Sequence, residues 1–156
     1  MVAVTNCIFC DQPFGPGRPR SREHAAPNWC RNLLPDRGPA VHVHAVVTPG
    51  GRQDTEMGER DVFTTVCGDV CRLCNTGWMA ELEESARPLL TPLIQGETRS
   101  QRYWRQTLAA TWAAKTAMVW DSVRPQHHVI PRDALHTLHR TQRLTYAPAP
   151  VHRTLW

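Results

Sequence analysis

The chain has 156 residues, a formal net charge of +4 and a hydrophobic share of 41%, enough for one domain with a true core and too little for two independent ones. Its basic residues are arginine throughout, apart from Lys115, and the planar guanidinium fork suits phosphate, which favours a polyanionic partner over a membrane surface. No stretch approaches the ~20 apolar residues of a spanning helix, and residues 1–10 lack the charged start and apolar run of a signal peptide, so the expected location is intracellular, in the cytoplasm.

The first element is the hook Cys7-Ile8-Phe9-Cys10, followed by polar turn residues, the shape of a zinc knuckle at the tip of a small hairpin. Pro13, Pro16 and Pro19 with Gly15 and Gly17 make the next stretch a loop, and Arg18, Arg20 and Arg22 make it the most basic one. Such a loop is either a solvated surface or a track for a phosphate backbone. Glu23-His24 follows, with Pro27 and Trp29 close behind. A carboxylate beside an imidazole offers an oxygen ligand for a hard cation and a base for water.

Residues 28–39 read as irregular. The alternation in Val41-His42-Val43-His44-Ala45-Val46-Val47 predicts a strand closed by Pro49-Gly50-Gly51, with His42 and His44 on one face, toward solvent or toward a metal or phosphate. Residues 52–60 read as an exposed polar connection and 61–70 as the second strand of the hairpin. The second hook, Cys71-Arg72-Leu73-Cys74, then completes a set of four thiolates, the usual donors of a tetrahedral structural zinc site. Cys30 and Cys67 are left over, as small buried hydrophobes or as substitutes in the metal shell. A redox role for the two hooks would need a thioredoxin-like βαβ setting, and none is visible.

Beyond the second hook, Asn75 stands at a helix cap. The helix is expected over 76–90, with Trp78, Leu82 and Ala86 as its stripe and Pro88 and Pro92 as its stop. A second helix is expected over 99–123, with Trp104, Leu108, Trp112, Lys115 and Val119 on one side. A short amphipathic run covers 133–144, and residues 146–156 form an extended tail. Together these give an α+β chain: a zinc-bound region at 1–92, a helical extension at 93–145 packed on it, and the tail.

In this order (hook, basic loop, Glu-His, hairpin, hook running into a helix) the chain resembles the HNH endonucleases of the His-Me finger group, and within it the branch in which a treble-clef-like four-cysteine site holds a ββα core. The run Cys-Asn-x-Gly-Trp-Met-x-x-Leu-Glu from Cys74 to Glu83 is similar to a set of bacterial and phage proteins labelled HNH nucleases, and so is the tract from Leu108 to Met118. The resemblance implies a DNA phosphodiesterase with His24 as general base and Glu23 and Asn75 on a catalytic Mg2+ or Mn2+. It also implies structural Zn2+ on Cys7, Cys10, Cys71 and Cys74, and Arg18, Arg20 and Arg22 toward the substrate phosphates. The family's middle asparagine falls near Thr65 or Val66, where a hydroxyl of Thr64 or Thr65 would have to replace it, and its last histidine is replaced by Asn75. Glu83, about two turns beyond Asn75, is too far along the helix to share one ion with it. The alternative reading is therefore a catalytically degenerate binding module on the same scaffold, directed at DNA or at a protein partner.

Overall fold

The computed structural model describes residues 5–34, 40–97, 103–123 and 129–142, and the chain is α+β with two small antiparallel sheets. The first hook is a closed knuckle. Asn6 bridges to Pro13, Cys7 N–H donates to the Gln12 carbonyl at 2.9 Å, and Asp11 turns the chain at φ 54°, a left-handed conformation that aspartate tolerates better than most residues.

Strand β1 (Glu23–His24) pairs antiparallel with β4 (Val66–Cys67), setting Glu23 opposite Cys67 and His24 opposite Val66. Backbone bonds extend this ladder at both ends. Ala25 N–H donates to Thr65, Ser21 N–H to Val70 and Arg72 N–H to Pro19, at 2.8–2.9 Å, and Arg20 bridges to Cys71. The extended segment that carries Glu23 and His24 is thereby laid along the residues leading into the second hook. Between the two strands lie one helical turn, α1 (Asn28–Arg31), and a second sheet.

That sheet corrects the expected hairpin. Strand β2 (Ala40–Thr48) pairs with β3 (Gly51–Arg60), not with residues 61–70, and Thr48 faces Gly51 across a two-residue Pro49-Gly50 turn. Proline fixes φ for the first turn position and glycine frees the second. Gly51 itself sits at φ 120°, a conformation that favours glycine. The polar composition of 51–60 hid a strand whose pairing rests on main-chain bonds and turn geometry. Residues 61–70 instead hold a 3-10 turn, Val62–Thr64, and the short β4.

The helix after the second hook begins earlier and ends later than expected. It opens as α2 (Arg72–Cys74), passes through a π-turn over Asn75–Met79 in which Gly77 leaves helical geometry, and continues as α3 (Ala80–Ile94). Asn75 is not the N-cap. Cys71 is, its sulfur accepting from Cys74 N–H at 3.4 Å. Pro88 and Pro92 lie inside α3. Glu84 and Pro88, the residues whose carbonyls the two prolines leave unpaired, are exposed, so water can bond them, while buried Leu82, Ala86, Leu89 and Leu90 hold the other face. The helix stops at Gly96 (φ 85°), where Gly96 N–H reaches Leu93 and Glu97 N–H reaches Pro92, the paired bonds of a Schellman end.

Helix α4 (Tyr103–Ser122) packs on α3, and α5 (Arg132–Thr141) packs on α4. One core joins Phe9, Trp78, Met79 and Leu82 to Val119, Leu135 and Leu138. Phe9 and Trp78 meet edge to face at 5.4 Å, a favoured aromatic geometry. Cys30 and Cys67 are buried and stand outside the four-cysteine group, and burial pushes each thiol up to about 11. The expectations for Trp104 and for the faces of His42 and His44, like those for 124–128 and 146–156, lie outside the described residues. No helix among the described residues is long and apolar enough to cross a membrane.

Candidate metal centre and the Glu-His site

The sulfurs of Cys7, Cys10, Cys71 and Cys74 all lie within 4.8 Å of one another. A tetrahedral zinc with Zn–S near 2.3 Å sets its sulfurs about 3.8 Å apart, and Cys10 and Cys71 are separated by 3.8 Å. The donor set fits zinc in number, chemistry and spacing. Main-chain groups are already aimed at it: Cys71 N–H donates to the Cys7 sulfur at 3.3 Å. Cys7 is drawn down to about 4 by the hydrogen bond from the Cys74 thiol, with backbone N–H groups adding and burial opposing. The same contact pushes the Cys74 thiol up, toward keeping its proton. Zinc would displace it, since the thiolate is the ligand.

Two of the three arginines of the basic loop are bound to groups of the protein, part-buried Arg18 and exposed Arg20. Arg18 Nη1 donates to the Cys10 and Cys71 sulfurs at 3.4 and 3.6 Å, where its charge offsets that of the thiolates. Arg20 pairs with Asp69, donates to the Gly68 carbonyl at 3.1 Å and stacks 4.0 Å over the Phe14 ring. Arg22 is exposed.

Glu23 and His24 are adjacent on β1 and meet different surroundings. His24 is half-buried, with Nδ1 2.9 Å from the Phe63 carbonyl and Nε2 3.2 Å from the Asn28 amide nitrogen. A carbonyl only accepts and an amide NH2 only donates, so Nδ1 carries the proton and Nε2 the lone pair. The Phe63 carbonyl is held by its turn: Asp61 accepts from Phe63 N–H at 2.8 Å, and Arg31 both pairs with Asp61 at 2.7 Å and covers the Phe63 ring at 5.1 Å. The residue that orients the imidazole is thus a main-chain carbonyl. The Thr64 hydroxyl, expected as a substitute, donates instead to the Asp61 carbonyl at 2.8 Å.

Glu23 is 7% exposed, and its partner comes from outside the Glu-His motif and both hooks. Lys115, at 1% exposure, reaches in from α4 with Nζ 3.2 Å from Glu23 Oε1 and 2.5 Å from Glu83 Oε1. Burial raises the Glu23 carboxyl above its ordinary range and the Glu83 charge adds to this, while Lys115 opposes both. Glu83 therefore meets Glu23 through an ammonium on a neighbouring helix, not through an ion shared with Asn75. Asn75 is part-buried, its N–H bonded to the Cys71 carbonyl at 3.0 Å, and its side chain makes no hydrogen bond with Glu23 or His24. The sequence does hold a signal for Lys115: the chain's single lysine stands in the register of the buried face of α4, in line with Leu108, Trp112 and Val119.

Compared with protein-family models, curated proteins and solved structures, the chain matches none.

Proposed function

We propose that the chain is an HNH-type nuclease domain that hydrolyses DNA phosphodiester bonds with His24 as general base on a zinc-held scaffold. The observation that carries this reading is the tautomer of His24. Its Nδ1–H is fixed on the Phe63 carbonyl, so Nε2 keeps its lone pair at a half-buried position, one residue from a carboxylate. Nε2 would take the proton of a water as its oxygen attacks phosphorus, the ester P–O bond would break, and the leaving oxygen would recover a proton from solvent. For this the Asn28 amide must yield its place at Nε2 to the water. Arg22, exposed two residues away, would meet the phosphate.

Glu23 does not fit the open cation ligand that the resemblance implies, because Lys115 already neutralises it inside the protein. The proposed hydrolysis therefore runs through His24 and Arg22, with no step assigned to a divalent ion on Glu23. That same pair favours a second reading, a zinc-stabilised binding module without catalysis. Zinc-loaded protein incubated with supercoiled plasmid, in chelator and in Mg2+, Mn2+ or Ni2+, separates the two. Nicked or linear product supports the nuclease. Intact plasmid in all conditions rejects it, and the salt dependence of DNA binding then decides between nucleic acid, which gives a steep slope, and a protein partner.

A further inference from the structure

We propose that Lys115 is the resident counter-cation of Glu23 and Glu83, a positioning residue that supplies from α4 the charge a hard metal ion would supply to these carboxylates. The inference deepens the nuclease reading by defining the carboxylate beside the base, and it rests on that reading only for its catalytic meaning. Its grounds are geometric. Nζ lies within hydrogen-bond range of an oxygen from each of two carboxylates that are far apart in sequence. These belong to three elements, β1, α3 and α4. At 1% exposure the ammonium cannot leave for solvent without opening the core, and a buried lysine stays charged only when such partners hold it. With two carboxylates sharing one ammonium, the cluster sets the charge beside His24, the next residue along β1. Lys115 therefore acts on His24 through Glu23 and touches no substrate.

Two consequences can be measured without any activity. In the zinc-loaded wild type, Mn2+ should find no site that depends on Glu23, so Mn2+ titrations followed by calorimetry and electron paramagnetic resonance should be the same for wild type and Glu23→Gln. In Lys115→Ala, the two carboxylates lose their cation and the truncation leaves room for another, so one further Mn2+ per chain should bind and be lost again in the Lys115→Ala, Glu23→Gln double variant. Lys115→Arg, which keeps the charge, should bind none. Glu23-dependent Mn2+ binding by the wild type overturns the proposal, and so does a folded, zinc-loaded Lys115→Ala that takes up no extra ion. If Lys115→Ala does not fold, the comparison of wild type with Glu23→Gln still decides. Absence of DNA cleavage by the wild type would sink the nuclease reading and leave these binding results as they stand.

Discussion

At the scale of single residues, the neighbours Glu23 and His24 show how one strand can hold two side chains in opposite electrostatic surroundings. Glu23 faces inward onto Lys115, while His24 stays half-buried between a carbonyl and an amide. The carboxyl of Glu23 is raised, chiefly by burial, so the folded state holds its proton more tightly than the unfolded chain does. Its contribution to stability is complete below the ordinary carboxylate range and is lost as pH rises through the folded value. Thermal melts of zinc-loaded protein across this range should show wild type losing ground to Glu23→Gln as pH rises. A gap that is constant or moves the other way would contradict this. The Glu23-His24 pair and each Cys-x-x-Cys hook were legible in the sequence because neighbours along the chain stay neighbours in space, and two hooks of thiolates call for one metal. The place of Lys115 on the buried face of its helix was legible too, but its meeting with Glu23 and Glu83 was not, because that depends on how α4 packs on α3, and nothing local encodes it. The resemblance implies a metal on Glu23, and the partner that the fold brings to this carboxylate is the only lysine of the chain.

At the scale of elements, the loop that orients His24 is more exposed to disruption than His24 itself. Asp61 closes the 3-10 turn through Phe63 N–H and anchors Arg31, so Asp61→Ala removes a cap and an ion pair together. The cap is worth about 1 kcal/mol and the half-exposed pair adds little. Denaturant unfolding should show a loss of that size. The His24 Nδ1 proton resonance should at the same time lose the downfield shift of a strong hydrogen bond, and an unchanged resonance would mean that the carbonyl is held by other means. The same region shows where sequence patterning misleads. Strand β2 was legible from its β-branched alternation, whereas β3 was hidden by its polar composition and revealed only by the Pro49-Gly50 turn. The two prolines of α3 read as stops because proline forbids a hydrogen bond, yet both freed carbonyls fall on the solvent side, and tertiary packing of Leu82, Ala86, Leu89 and Leu90 carries the helix past them.

For the whole molecule, the four-cysteine centre ties the N-terminal knuckle to the start of the long helix across more than sixty residues, and the core is built directly around it. Metal affinity is therefore folding energy. Cys74→Ser should lower zinc content from about one per chain to a small fraction and abolish the cooperative melt, as should a strong chelator acting on the wild type. A metal-free chain that melts cooperatively would refute this. The chain order of hooks, Glu-His and helix was legible as a scaffold, and the zinc site most plainly of all, since four thiolates in two hooks have few other uses in such a setting. Whether this scaffold presents His24 as a base to a phosphodiester is tested most directly by the plasmid cleavage rate of wild type against His24→Ala, at matched zinc content and matched circular dichroism. Measurable cleavage by the wild type is expected, with a loss of about 10²- to 10⁴-fold in the variant. Equal rates for the two proteins, or no cleavage by the wild type under any ion tested, would contradict it.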